Sequence, residues 1–149
     1  MLTKKAKYAL LALIYLAKHQ NEGPVLIERL ATEEKIPRKF LERILLDLKN
    51  VGILQSKKGK GGGYSLQEST DKIVIGDVIR LMDGTIAPVP CVSKTAYAKW
   101  KECNDEMSCA IRIVMKEVRD AIAGILDSTS LTDMLKMANN GKRASDYAI

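Results

Sequence analysis

Residues 37–64 read PRKFLERILLDLKNVGILQSKKGKGGGY, and the succession of patterns inside this stretch decides the fold. Pro37 suits the first turn of a helix, where the missing N–H has no partner to lose. Phe40, Leu41, Ile44, Leu45 and Leu48 then recur at helical spacing, with Arg38, Lys39, Glu42, Arg43, Asp47 and Lys49 largely off that stripe. The expectation is an amphipathic helix over 37–51, ended by Gly52. Residues 53–56 read as a short strand, 57–63 as a glycine-rich basic loop, and 64–66 as the returning strand.

Working upstream, residues 3–19 are rich in Ala and Leu and lack Gly and Pro; Thr3 is placed to cap them, and Asn21-Glu22-Gly23-Pro24 to stop them. Residues 27–34 make a short amphipathic helix through Ile27, Leu30 and Ala31, and Lys35-Ile36 turns the chain. Three helices followed by a two-stranded ribbon are a winged helix-turn-helix. Downstream, 71–84 is a further amphipathic segment, a break follows at Pro88 and Pro90, and 91–109 is a polar, irregular loop containing Trp100. The longest helical pattern spans 108–126, with Ile111, Val114, Met115, Val118, Ile122, Ile125 and Leu126 apolar. In so short a chain, a long apolar face is read as packing on its twin in a homodimer, against the plainer reading of packing within one subunit. Residues 130–135 form a short closing helix, and the polar tail from Asn139 is expected to fray. The class is mainly α with a small two-stranded β wing and a long dimerisation helix. The expected division is a DNA-binding unit over 1–66, a sensor loop and dimerisation region over 67–138, and a flexible tail over 139–149.

Composition fits this reading. Of 149 residues, 46% are hydrophobic, which excludes wholesale disorder, and only 5% are aromatic, which suits aliphatic helix packing better than a β-sandwich. The net charge of +6 is segregated: residues 1–65 hold 13 Lys and Arg against 6 Asp and Glu, while the remainder is nearly balanced. Such segregation is the footprint of a nucleic-acid-binding module joined to a neutral sensing or assembly module, with a merely well-solvated basic surface as the bland alternative. Lys4, Lys5 and Lys7 before the apolar run 8–17 mimic a secretory signal, but Lys18-His19-Gln20-Asn21-Glu22 follows without a cleavage site. The run is also too short to span a bilayer. The expected location is the cytoplasm, with reduced thiols and no membrane contact.

The second helix of a helix-turn-helix pair presents its N-terminal side chains to base edges in the major groove of double-stranded DNA. Here these are Arg38, Lys39, Glu42 and Arg43. Arg and Lys can read guanine, whereas Glu42 is unfavourable beside phosphate and is expected to select sequence by accepting from a cytosine amino group. The rival reading is a solvated face laced with i,i+4 ion pairs. In the wing, Lys57, Lys58 and Lys60 supply phosphate attraction, and glycines such as Gly61 and Gly62 let the backbone approach a groove wall. The loop lacks the G-x-x-x-x-G-K-[ST] pattern and joins strand to strand, which argues against a nucleotide-phosphate site.

These residues resemble one bacterial regulator family, that of the iron–sulfur cluster regulator IscR, the nitric-oxide sensor NsrR and the cysteine regulator CymR. The resemblance is carried by residues 2–10, LTKKAKYAL, by the helix over 36–48, and above all by KGKGGGY at 58–64; it extends to about residue 138. It implies a homodimeric winged-helix transcription factor with a long crossing dimer helix and a pseudo-palindromic operator. By position it implies Lys39, Glu42 and Arg43 as recognition-helix readers, Lys58 as the residue reaching the minor groove, and Tyr64 as part of the wing motif.

The three cysteines, Cys91, Cys103 and Cys109, all fall in the one loop before the long helix. Thiolates in one loop can converge on a soft metal or an iron–sulfur cluster; zinc, metal-free thiol switching and incidental buried thiols are the alternatives. Iron–sulfur members of the resembled family carry three cysteines in this loop, which implies a cluster here, 2Fe–2S ahead of 4Fe–4S. The spacing from Cys103 to Cys109 matches the iron–sulfur cluster regulator, and the spacing from Cys91 to Cys103 is longer. Arg112 stands where that regulator has a ligating His, and Lys7 where the nitric-oxide sensor has a ligating Asp. The single histidine, His19, lies at the far end of the first helix. Glu102, Asp105, Glu106 or an external small molecule are left as sources of the fourth ligand. The function expected is a DNA-binding regulator sensing redox, nitric oxide or iron–sulfur status. A cluster-free regulator responding to thiol redox, a metabolite or a partner protein is the alternative of the same class. A winged-helix protein-interaction module is disfavoured by the basic helix and wing. An enzyme is disfavoured by the absence of C-x-x-C, of a nucleotide fingerprint and of any His near a Cys.

Overall fold

The computed structural model describes residues 2–145, which fold into six α-helices and one antiparallel two-stranded sheet. Helix α1 spans Lys4–Lys18, and Thr3 caps it by accepting the Ala6 N–H at 3.2 Å. Thr3 also gives its own N–H and hydroxyl to Asp83, so one residue both starts α1 and ties it to a distant part of the chain. Helix α2 covers Ile27–Glu33, and α3 covers Arg38–Asn50. Pro37 sits one position earlier than expected, at the cap rather than in the first turn, with an extended ψ of 127°. Its carbonyl accepts the Leu41 N–H at 2.9 Å, the first closed turn of α3.

The core forms where these helices meet. Ala6, Ala9, Ala12 and Leu13 of α1, Leu30 of α2, and Leu41, Ile44, Leu45 and Leu48 of α3 are all buried. Phe40 departs from the expected apolar stripe: it is 44% exposed and meets the edge of Tyr8 rather than the core.

Strand β1, Leu54–Lys57, pairs with β2, Gly63–Leu66, from Leu54↔Leu66 to Lys57↔Gly63. Lys57 and Gly63 therefore belong to the ladder rather than to the loop. Val25 adds a bridge to Tyr64, with N–H···O distances of 2.8 Å in both directions, and this fixes the ribbon against the α1–α2 connection.

Helix α4 spans Ile75–Asp83. It starts later than the pattern from 71 suggests, because Ile73 and Ile75 spend their backbone groups on Leu131 and Thr129 in a long-range pairing within the chain. A polar segment with one 3-10 turn at Pro90–Val92 leads to α5, Ala110–Asp127. Helix α6 runs from Leu131 to Ser145, well beyond the short helix and frayed tail expected. Ser130 and Asp133 cap it reciprocally, and the Ala, Met, Lys and Arg content of 134–144 sustains a helix whose polarity had read as a tail. The remainder of the expected tail, 146–149, lies outside the described residues.

Helices α1 and α2 are joined by a polar cluster around Tyr15, which is 4% exposed. Its hydroxyl donates to Glu33, Arg29 lies 5.7 Å over its ring, and His19 stacks on it at 4.0 Å. Arg29 also pairs with Glu22 and Glu33, each at 3.3 Å. Burial, and then the bond to Glu33, push the Tyr15 phenol up to about 12. A raised folded-state value favours the protonated phenol, so its contribution is full below the unfolded value near 10 and is lost as pH rises from there towards 12. Urea unfolding of the wild-type protein is expected to show a fall in stability across that alkaline window. Tyr15→Phe should flatten it while costing about 1 kcal/mol at neutral pH for the lost hydrogen bond; an unchanged alkaline slope in the variant would refute the assignment.

Candidate functional site

The outward face of α3 carries Arg38, Lys39, Glu42 and Arg43, all exposed. They are not equivalent. Arg38 pairs with Glu28 at 2.6 Å and with Glu42 at 3.1 Å, all three side chains being exposed. Arg43 reaches Asp47 at 3.4 Å, and Asp47 also receives Lys5 at 3.1 Å. The i,i+4 pairing weighed as the bland reading is thus present at two places on this face. Exposed pairs of this kind are worth little and can exchange partners when a phosphate approaches. Lys39 has no carboxylate partner among the described residues.

Beside this helix the wing turns through Gly59 and Gly61, at φ of 86° and 74°. Lys57, Lys58, Lys60 and Gly61 are exposed. Gly62 is buried: a Cβ there would run into the Lys57 carbonyl and lie 2.8 Å from the Gly59 carbonyl. Gly63, at φ 138°, lies against the Val25 carbonyl with no space for a side chain. The sequence reading gave these glycines to a groove wall; for Gly62 the structure supplies a different reason, closure of the hairpin on itself. Tyr64 is half-buried and packs against the core, its backbone paired with Val25.

In the segment before α5, Cys91, Cys103 and Cys109 are free, half-buried, and line one cavity of 370 Å³ together with Val89, Trp100, Ile111 and Arg112. Cys109 is the cap residue of α5. Among the described residues, no three His, Cys, Asp or Glu side chains already stand in metal-binding geometry. The donor types fit a soft metal or iron–sulfur group; the ligand set is not preassembled. Of the carboxylates considered for a fourth ligand, Asp105 is occupied by Ser108 at 2.6 Å and by the Met107 N–H at 3.0 Å, which hold its carboxyl below the usual range. Glu106 is occupied by the Tyr97 hydroxyl at 2.5 Å and faces Arg112 at 3.9 Å. Glu102 lines the cavity without a side-chain hydrogen bond among the described residues. His19 belongs to the Tyr15 cluster and takes no part.

Two residues that the sequence did not single out as a pair join this loop to α5. Arg112 donates to the Cys91 carbonyl at 3.3 Å, and Arg119, two turns further along the helix, donates to the Val92 carbonyl at 2.6 Å. Their spacing places them on one helix face, but nothing in the sequence marks the carbonyls they reach. The far end of α5 is secured by Asp127, which accepts both Nη groups of Arg80 on α4 at 2.7 and 2.8 Å. Gly76 leaves the room that Asp127 occupies. Between these ends, α5 has no buried residue: Ile111, Val114, Val118 and Ile125 are 62, 52, 37 and 67% exposed along one stripe.

Residues 2–137 match the Rrf2 family, described as iron-dependent transcriptional regulators. The chain belongs to the Rrf2 family. It is 42% identical, over 93% of its length and 95% of the relative's, to an rrf2-like HTH-type regulator of Rhodobacter capsulatus. To CymR of Bacillus subtilis it is 32% identical, over 99% of each chain. The solved structure of that CymR, the global cysteine regulator of B. subtilis, superposes with a TM-score of 0.75 over 92% of this chain and 97% of that one. IscR from T. potens superposes at 0.72 with 28% identity, over 93% and 88%. This Rrf2-family chain is therefore a winged-helix transcriptional regulator and not an enzyme. Among its described residues, no helix is long and apolar enough to cross a membrane.

The wing geometry has a direct consequence. Gly63→Ala should cost about 1 kcal/mol or more, since it adds a left-handed conformation to a backbone clash. A chemical-denaturation midpoint equal to wild type would refute the close approach of Val25.

Proposed function

We propose that this Rrf2-family regulator is a cytoplasmic homodimer that binds a pseudo-palindromic operator and senses redox, nitric oxide or iron–sulfur status through Cys91, Cys103 and Cys109. The observation that carries the reading is the convergence of all three thiols on one cavity at the start of the helix with an uncovered apolar stripe. When bound, an iron–sulfur cluster supplies one-electron redox chemistry and reactivity towards nitric oxide; the 2Fe–2S type is favoured over 4Fe–4S. Cys91, Cys103 and Cys109 are the thiolates that hold it, and Glu102 is the carboxylate best free to complete the set.

The chain's own residues link this loop to DNA. Arg112 and Arg119, on the Cys91 and Val92 carbonyls, make this segment and α5 move together. Asp127 and Arg80 pass a shift of α5 to α4, and Asp83 of α4 holds Thr3 at the head of α1, on which α3 packs. In a dimer joined along α5, such a shift alters the separation of the two recognition helices, and DNA half-sites tolerate little change in spacing. Lys39, Arg43, Glu42 and Arg38 face the major groove; Lys57, Lys58, Lys60 and Gly61 carry the wing's phosphate and minor-groove contacts, with Gly62 and Tyr64 shaping the ribbon. A second reading, a cluster-free regulator responding through its thiols or a metabolite, is favoured by the cationic Arg112 in the cavity wall and by the lack of a preassembled ligand set.

Anaerobically purified protein is expected to be brown, with visible absorbance lost in Cys→Ala variants at 91, 103 or 109, and to differ from apo protein in operator affinity. A colourless protein whose affinity changes on thiol oxidation would replace the cluster reading with the second; equal affinity in all states would overturn both. Sedimentation equilibrium tests the assembly: Val114→Asp and Ile125→Asp should yield a folded monomer, because both positions are exposed within one subunit, and a dimer surviving both changes would move the interface elsewhere.

A further inference from the structure

Phe40 is the residue of α3 whose position the helical pattern explains least. It falls in the stripe with Leu41, Ile44, Leu45 and Leu48, which are each 0% exposed, yet it is itself 44% exposed. Its neighbours in the first two turns are the outward Lys39 and Arg43. A large aromatic ring left half in water on a cationic face loses the burial that ordinarily places Phe inside. It is not loosely held: the Tyr8 ring meets it edge-on, with centroids 5.6 Å apart and planes at 86°, which fixes its orientation relative to α1. Meanwhile the guanidinium groups of this face are diverted into ion pairs, Arg38 to Glu28 and Glu42, Arg43 to Asp47. Those exposed pairs are exchangeable and leave arginine readout open, and beside them an oriented apolar surface stands ready in the turn that a helix-turn-helix offers to base edges.

In the major groove, the apolar feature that distinguishes one base is the thymine 5-methyl group. We infer that Phe40 is a specificity-determining residue that reads a thymine methyl in each operator half-site, with Tyr8 as the positioning residue that holds its ring. The inference rests on α3 being the recognition helix, as proposed above, and adds a base identity that none of its charged residues selects. Contact with the methyl completes the burial that Phe40 lacks in the free protein, and it is insensitive to salt, unlike the contacts of Lys39 or the wing.

The test uses the full-length protein and double-stranded DNA obtained by in vitro selection from a random pool. Each thymine of the selected sequence is replaced in turn by deoxyuridine, which removes the 5-methyl group and no hydrogen-bonding atom, and affinity is read by fluorescence anisotropy at fixed salt. At one position per half-site, wild-type affinity is expected to fall by about four-fold, the worth of one buried methyl. Phe40→Ala should bind thymine and deoxyuridine versions equally, with an unaltered salt slope. The ratio is taken within each protein, so a lower folded fraction in the variant does not imitate the effect, and Tyr8→Ala, which leaves Phe40 in place, should shrink the ratio without abolishing it. Selected DNA bound tightly by wild type but indifferent to every replacement would overturn the inference and leave DNA binding standing. Discrimination retained by Phe40→Ala would overturn it too, and failure to select any sequence would remove the recognition-helix reading together with it.

Discussion

Everything in the winged helix-turn-helix depends on α3 having one face that cannot turn outward. Leu41, Ile44, Leu45 and Leu48 are each fully buried against α1, α2 and β1. Full burial of each such side chain is worth about 1.5–3 kcal/mol, so a rotation of the helix that exposed two of them would cost about 3–6 kcal/mol, a large share of the roughly 5–15 kcal/mol that holds a domain folded. Lys39, Phe40, Glu42 and Arg43 are outward because these four are inward. The wing inherits the same constraint: the Ile53 N–H bonds the Leu48 carbonyl at 3.1 Å, so the ribbon leaves α3 in a set direction. Its return is pinned at Tyr64 by Val25.

The second half is built differently. Its long helix has no fully buried residue in the subunit; Leu126 packs partly against the core, and Arg112 and Arg119 on the Cys91 and Val92 carbonyls and Asp127 on Arg80 hold the rest. A helix secured mainly by directional polar contacts, with one side chain, Leu126, against the core and most of its apolar stripe open, can shift at little cost to that core. This is the physical contrast on which the proposed sensing rests: a packed, over-determined reader attached to a lightly tethered transmitter.

Much of this was readable in the residues. The apolar spacing of α1, α3 and α5, the Thr3 cap and the basic hairpin needed only local pattern and charge. The misreadings share one cause, which is that a periodic pattern says which residues are apolar but not what partner meets them. Phe40 fits the stripe of α3, yet α1 presents Tyr8 there instead of a cavity. At Gly62 the spacing could not show that the Lys57 and Gly59 carbonyls of the hairpin itself already demand a residue without a side chain. The segment before Ile75 had helical periodicity, but its backbone is taken by residues more than fifty positions away. The tail looked too polar to hold together, yet capping by Ser130 and Asp133 and good helix formers extend α6 to Ser145.

The site divides along the same line. By itself, the sequence determined the residue types: cations on one helix and one wing, and three thiols in one loop, because charge and nucleophilicity are properties of side chains wherever they are placed. Only the tertiary structure decided which of them are available. Arg38 is drawn off by Glu28 from the preceding helix, Asp105 and Glu106 are engaged by Ser108 and Tyr97, and the three cysteines come to line one cavity with Arg112 in its wall. Availability depends on which groups lie within a hydrogen bond's reach, and long-range packing brings those groups together from segments whose local patterns carry no record of one another.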